Sequence, residues 1–252
     1  ENKEAMACIC QATLDNKGDL GIIFDTDVDR AAIVGPNGRP INKNALIALI
    51  STIILEEHPQ TTIVTDSVTS NGLANFIKAK GGIHHRFKRG YKNVINEAIR
   101  LNEEGRESHL AIETSGHAAI KENYFLDDGA YLISKILVKA AQLYRESQDI
   151  GKLIGDLDEA LEDKEIRLKI EDKDFRSYAN NLIASLSEKI KTIDGWTQVA
   201  ENYEGIRVDC RDEKGWFLMR SSLHEPLLVI NFESNIKGGC DLISEKLLAL
   251  IK

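Results

Sequence analysis

Apolar and polar positions follow two different rhythms along the chain, and the change near residue 150 divides it. In the first part, helical-period stretches alternate with short β-branched or apolar runs. Ala5, Met6, Ala7, Ile9, Ala12 and Leu14 predict a helix within residues 1–17, ending near Asn16-Lys17-Gly18. Residues 20–24 read as a buried strand. Residues 31–34 read as a second, which runs into the turn Gly35-Pro36-Asn37-Gly38. A helix follows over 43–57, with Ala45 to Ile50 facing inward, then a β-branched strand over 61–65. The pattern continues with a helix over 72–80 stopped by Gly81-Gly82, a strand over 83–88, a helix over 93–102 and a strand over 109–112. A long amphipathic helix over 130–144 closes this part, with Leu132, Ile133, Ile136, Leu137, Ala140 and Leu143 at helical spacing.

Such alternation predicts an α/β/α layer with a mixed, mostly parallel sheet. Ligands in sheets of that kind collect beyond the carboxyl ends of the strands. Arg89-Gly90-Tyr91-Lys92 and Thr114-Ser115-Gly116-His117 fall at such ends. Between Gln148 and Asp163 the composition becomes acidic and loose, which marks a boundary. Beyond it the order is strand (166–170), helix (Phe175, Tyr178, Leu182, Leu186, Ile190), three strands (203–208, 216–220, 226–232) and a final helix (242–251). That succession predicts a separate α+β domain. The expected division is therefore 1–40, 41–150 and 151–252. The first piece has too little core to stand alone and reads as the end of a domain whose front lies upstream of Glu1.

Composition narrows the function classes. The 252 residues carry a net charge of −8, which argues against nucleic acid as a partner. No apolar run approaches the roughly 20 residues that span a bilayer, so no membrane partner is expected. Cys8, Cys10, Cys210 and Cys240 lack zinc-finger spacing and read as reduced thiols of a cytoplasmic protein.

Three loops carry the candidate chemistry. Asp25-Thr26-Asp27-Val28-Asp29-Arg30 sets three carboxylates at alternate positions after a buried strand. Carboxylates this crowded repel one another unless a cation neutralises them, and oxygen-only donors favour Mg²⁺, Mn²⁺ or Ca²⁺. Arg30 and Pro36 occupy the positions where an EF-hand needs Gly and an acid, which disfavours that motif. A solvated acidic turn is the plain alternative. Glu113-Thr114-Ser115-Gly116-His117 offers a carboxylate, hydroxyls and an imidazole suited to a polyol, or else an ordinary helix-cap turn. Arg220-Ser221-Ser222-Leu223-His224-Glu225-Pro226 places an arginine and two hydroxyls where loop N–H groups complete an anion nest, or simply forms a polar hairpin. A divalent metal, a hydroxyl-reading loop and a phosphate loop together suit phosphoryl transfer on a sugar phosphate.

With these motifs in hand, the chain resembles the α-D-phosphohexomutases, the phosphoglucomutase/phosphomannomutase family. The metal-loop pattern D-x-D-x-D-R is met by Asp25, Asp27, Asp29 and Arg30. The sugar-loop pattern G-E-x-S-G-H is met by Glu113, Ser115, Gly116 and His117, and a phosphate loop close to R-x-S-x-T-E-P by Arg220, Ser222, Glu225 and Pro226. Asp127-Asp128-Gly129 also looks like the family's. The likeness covers nearly the whole chain. It implies the end of a second domain, an α/β/α third domain and a fourth α+β domain like the TATA-box-binding protein. It implies Mg²⁺ on Asp25, Asp27 and Asp29, catalytic roles for Arg30 and Lys92, sugar contacts from Glu113, Ser115 and His117, and phosphate contacts from Arg220, Ser222, Leu223 and His224. The substrate would be a hexose phosphate. The partner would be the N-terminal domains of the same polypeptide, with the phosphoserine that relays phosphate between O1 and O6 through a 1,6-bisphosphate. The family's Ser-His-Asn-Pro loop is absent from this sequence, so this length of chain is expected to be inactive alone.

Departures from the family pattern are Ile112 for the glycine before Glu113, His224 for threonine, and Thr26 and Val28 for smaller residues. Two rival readings remain. One is a sugar-phosphate-binding module without catalysis. The other is a stand-alone Mg²⁺ phosphatase with Asp25 as nucleophile.

Overall fold

The computed structural model describes residues 2–222 and 225–251. Its described residues form two compact units that divide between Asp158 and Glu159.

The first unit opens with α1 (Lys3–Asp15), capped by the Asn2 side chain on the N–H groups of Glu4 and Ala5. It packs on β1 (Gly21–Phe24), which pairs antiparallel with β2 (Ala31–Val34), and β2 pairs with the two-residue β3 (Pro40–Ile41). Next comes α2 (Lys43–Glu57), in which every residue from Ala45 to Leu55 is buried. A helix apolar on all sides belongs inside a core. Accordingly it is surrounded by α3 (Asn71–Ala79), α5 (Gly129–Arg145) and strand β6 (Ser108–Ile112).

The main sheet has strand order β5-β4-β6-β7, with β4 (Thr62–Asp66) between β5 (Ile83–Phe87) and β6, and β7 (Ala118–Ile120) at the edge. The first two pairings are parallel and β6–β7 is antiparallel, so the sheet is mixed and mostly parallel, as expected. Alternate residues face opposite sides. Ile63, Leu110 and Ile112 join the core with α2, α3 and α5, while Val64 and Ala111 pack with Val94, Ala98 and Leu101 of α4 (Tyr91–Glu103). The result is an α/β/α layering. The chain leaves β4 through α3 to β5 on one side, then crosses back through α4 to β6 on the other. The reversal puts a topological switch point between β4 and β6, where sheets of this kind open a ligand crevice.

The second unit is a five-stranded antiparallel sheet, β8-β12-β11-β10-β9, with α6 (Phe175–Ile190) and α7 (Gly239–Ile251) against it. The strands are β8 (Glu162–Lys169), β9 (Trp196–Gln198), β10 (Ile206–Cys210), β11 (Gly215–Ser221) and β12 (Leu227–Ser234). Its core joins Phe217, Met219, Ile230 and Phe232 to Leu186, Ile190, Ile243 and Leu247.

Periodicity locates the main elements but misses the shortest strands. β3, β7 and β9 have two or three residues, too few to show a period. β8 starts four residues before the expected strand because charged side chains sit on its inner face. Glu162 accepts the Gly238 N–H at 2.7 Å, and Lys164 reaches Asp241 at 2.6 Å, so both serve the start of α7. Gly215, Gly205 and other glycines aside, most of the fold rests on apolar packing. Because Ile47 is fully buried in α2, Ile47→Ala should lower the unfolding free energy by about 2–5 kcal/mol in a urea titration.

Candidate functional site

The acidic loop is built as a tight reversal between β1 and β2. The Asp25 N–H donates to the Arg30 carbonyl at 3.3 Å, and the Val28 N–H donates to the Asp25 carbonyl at 3.3 Å. Oxygens of Asp25, Asp27 and Asp29 lie within 4.8 Å of one another. Arg30 turns back on the loop, with Nε on Asp25 Oδ2 at 2.6 Å and the backbone N–H on Oδ1 at 3.1 Å. Burial alone would raise the Asp25 carboxyl, but these bonds and the Arg30 charge hold it below the ordinary range. Asp29 is raised, first by burial and then by the charges of Asp25, Asp27 and Asp127, against the pull of His117. Its Oδ1 is buried and accepts no hydrogen bond. A buried carboxylate oxygen without a donor, flanked by two more carboxylates, fits a hard divalent cation. Residues 25, 27 and 29 would hold it.

Val28 sits at φ +64°, in the left-handed region that is costly for a β-branched residue. Its carbonyl accepts the Gly129 N–H at 3.1 Å, and this tie helps hold the strained turn. A Cβ at Gly129 would lie 2.8 Å from that carbonyl oxygen, so the close approach requires glycine there.

The second candidate loop joins β6 to β7. The Glu113 N–H donates to the His117 carbonyl at 2.9 Å and the Gly116 N–H to the Glu113 carbonyl at 3.0 Å, which closes a five-residue hairpin turn. Gly116 has φ +101°, and a Cβ there would stand 2.9 Å from the Ala31 carbonyl oxygen. The hairpin thus presses against the acidic loop, and a β-bridge pairs Arg30 with His117. The Glu113 carboxylate is buried. It accepts the Gly90 N–H at 2.6 Å and the Ser115 hydroxyl at 3.0 Å. His117 Nδ1 lies 2.7 Å from Asp127 Oδ2 and 3.6 Å from Asp29 Oδ2. Burial disfavours its charged form, yet Asp127, followed by Asp29 and Glu113, raises it above the ordinary histidine value. The Tyr91 ring stacks on His117 with centroids 4.7 Å apart, and Lys92 Nζ is 5.7 Å from the Tyr91 ring centre. Beside Asp25 and Arg30 a cavity of about 290 Å³ opens, lined also by Met6, Phe24 and Ser115. The acidic loop, the sugar-loop candidates and Lys92 therefore belong to one neighbourhood of the first unit.

The third candidate loop belongs to the second unit. Arg220 is the penultimate residue of β11, opposite Val229. The Ser222 N–H donates to the Leu227 carbonyl at 2.8 Å, and its Oγ accepts the Glu225 N–H at 3.3 Å, as a tight hairpin requires. Leu223 and His224 lie outside the described residues.

Residues 42–159 match the family model described as phosphoglucomutase/phosphomannomutase, alpha/beta/alpha domain III. The chain is 26% identical to a phosphoglucomutase of Neisseria gonorrhoeae over 250 residues, which is 99% of this chain and 51% of that protein. It is 29% identical over 229 residues to a phosphomannomutase/phosphoglucomutase of Pseudomonas syringae, covering 89% of this chain and 45% of the relative. The crystal structure of a phosphoglucomutase/phosphomannomutase family protein from Burkholderia thailandensis superposes with a TM-score of 0.80 at 26% identity, over 99% of this chain and 50% of that one. These matches support membership of the α-D-phosphohexomutase family. The chain spans about half the length of the relatives it matches.

The structure also pairs polar residues that the sequence pattern does not bring together. Asp127 was seen only as part of a motif, yet it holds the His117 ring. The other histidines have partners too. His58 and His109 stack with centroids 3.8 Å apart, His85 pairs with Glu97 at 2.9 Å, and His84 contacts Thr65 at 2.8 Å. These contacts are far apart in sequence and leave no local signal. Asp66, the last residue of β4, lies one position past the strand expected over 61–65. It is fully buried, and both its oxygens are engaged by Thr114, from the N–H at 3.3 Å and the hydroxyl at 2.8 Å. Burial, then Glu113, pushes its carboxyl up to about 6, with Arg89 and Thr114 pulling the other way.

The Asp66 shift has a measurable sign. A carboxyl that binds its proton more tightly folded than unfolded stabilises the fold below its unfolded pKa, and this contribution is lost as pH rises through the folded value. Asp66→Asn abolishes that titration. Unfolding free energy of the variant minus that of the wild type should therefore rise from about pH 4 to about pH 7.5, by on the order of 3 kcal/mol. Urea titrations at the two pH values measure it.

Proposed function

We propose that this chain supplies the metal, sugar and phosphate loops of a phosphoglucomutase/phosphomannomutase, which interconverts hexose 1-phosphate and hexose 6-phosphate. The reading divides it into the end of a second mutase domain (1–40), a third (41–150) and a fourth (151–252). One observation carries it. Three clustered aspartates and the Glu-x-Ser-Gly-His hairpin are bonded to each other backbone to backbone, at Arg30–His117. A cation loop welded to a hydroxyl-reading loop suits a substrate that is both polyol and phosphate.

Asp25, Asp27 and Asp29 would hold Mg²⁺, whose charge would offset that of the phosphoryl group in transfer. Arg30 keeps Asp25 ionised and turned toward the loop. His117, oriented by Asp127 and backed by Tyr91, offers its other ring nitrogen to a sugar hydroxyl. Glu113 and Ser115, already linked, retain lone pairs for further hydroxyls. Lys92, exposed at the start of α4, is placed to meet substrate charge. Arg220 and Ser222, with Leu223 and His224, would take the non-transferring phosphate. The phosphoserine relay would come from further domains, in keeping with relatives about twice as long as this chain. A sugar-phosphate-binding module without turnover is the second reading.

A coupled assay of glucose 1-phosphate conversion, with Mg²⁺ and glucose 1,6-bisphosphate, should find no turnover by this chain alone. Turnover should appear when a polypeptide containing the phosphoserine loop is supplied. Conversion by the chain alone would refute the assignment, and no conversion even with the upstream domains would favour the binding module. In calorimetry, Asp27→Asn should weaken Mg²⁺ binding at least roughly tenfold. Arg220→Ala should weaken hexose-phosphate binding by roughly 1.5–3 kcal/mol, the worth of a hydrogen bond to a charged group. Wild-type affinities in those variants would remove the metal and phosphate assignments respectively.

A further inference from the structure

Asp66 is an expensive residue in its place. It ends the central strand of the sheet, at the switch point between β4 and β6, with no exposed surface. A buried carboxylate needs pairing or dense hydrogen bonding to stay charged. Among the described residues Asp66 receives two hydrogen bonds, both from Thr114, and it stands near another carboxylate, Glu113, with Arg89 as the compensating charge. A neutral side chain would serve packing more cheaply. Its backbone is pinned as well, because its carbonyl accepts the Thr69 hydroxyl at 3.0 Å.

What those two bonds restrain is specific. Thr114 lies between Glu113 and Ser115, the two residues whose side chains are linked at 3.0 Å. Glu113 in turn holds the Gly90 N–H at the N-terminus of α4. The β6–β7 hairpin is closed internally by bonds among residues 113, 116 and 117. Outside the hairpin, the Arg30–His117 bridge ties its far end to the acidic loop, and the Asp66–Thr114 pair ties its Glu113–Ser115 side to the central strand.

We infer that Asp66 is a positioning residue for sugar recognition. Through Thr114 it sets the angle at which Glu113 and Ser115 meet the hydroxyls of a bound hexose phosphate. This inference rests on the sugar-phosphate reading of the same site. Side chains held to within a fraction of an ångström lose much of their effect when the support is released.

The test is calorimetric titration of the full chain with glucose 1-phosphate and, separately, with inorganic phosphate, in the presence of Mg²⁺. Melting temperature is measured on each variant. Asp66→Asn should weaken glucose 1-phosphate binding roughly tenfold. It should leave inorganic phosphate affinity unchanged and should not lower the melting temperature at neutral pH. Thr114→Val, which deletes one of the two bonds, should give part of the same loss, and Thr114→Ser should restore wild-type affinity. A parallel fall in both affinities together with the melting temperature would mean a structural role only and would overturn the proposal. Wild-type sugar-phosphate affinity in Asp66→Asn would overturn it while leaving the sugar-phosphate reading intact. Failure of the wild-type chain to bind glucose 1-phosphate would sink that reading, and Asp66's role with it. If Asp66→Asn does not fold, the Thr114 pair decides the matter by the same criteria.

Discussion

Mutual repulsion among carboxylates is the constraint to which the first unit is fitted. Asp25, Asp27, Asp29, Asp127, Glu113 and Asp66 form a chain of neighbours, each linked to the next by charge or through His117. Left to themselves, groups this close take up protons or move apart. The structure stops both outcomes locally. Arg30 saturates Asp25, His117 sits between Asp127 and Asp29, backbone and hydroxyl donors occupy Glu113, and Thr114 occupies Asp66. Asp29 and Asp127 each keep a buried oxygen with no hydrogen bond, and the one on Asp29, beside Asp25 and Asp27, is where a cation would have the most to gain.

Holding these groups in place demands unusual backbone. Val28 occupies a left-handed conformation although its side chain is β-branched, and Gly116 and Gly129 allow approaches that any Cβ would block. Such strain survives only where surrounding bonds fix the geometry. Here the fixing comes from contacts between loops far apart in sequence: Val28 with Gly129, Arg30 with His117, Asp66 with Thr114. The buried α2 and the parallel strands supply the apolar packing that such a polar, strained end cannot supply itself.

Legibility in the sequence followed the range of the interactions. Helices and strands longer than about four residues announce themselves by period, and α2, α5 and α6 fall where the pattern puts them. The two candidate loops, 25–30 and 113–117, stand out in the sequence because their polar groups lie within five or six residues of one another. Asp66 and Asp127 were not legible as site residues. Asp66 meets Thr114 across 48 positions, and the single aspartate at the end of a β-branched strand looks like any strand terminus. The stacked His58 and His109 were hidden for the same reason. β8 shows the opposite failure. Its charged residues suggested a loop, when in fact Glu162 and Lys164 face inward to serve the start of α7.

The balance of charge also orders the proposed chemistry. Around the two loops the carboxylates outnumber Arg30, Arg89 and His117, while the proposed substrate is itself an anion. An anionic phosphate brought to such a site meets repulsion, strongest where solvent screening is weakest. A divalent cation held by Asp25, Asp27 and Asp29 would reverse the local sign where a phosphate would arrive. Lys92 adds an exposed positive charge. On this reading the cation would be needed for binding as well as for catalysis. Glu113 and Asp66 are instead held by hydrogen bonds from Gly90, Ser115 and Thr114. The separation of a cation-neutralised half from a hydrogen-bond-neutralised half lets one end of a small sheet serve both parts of a sugar phosphate.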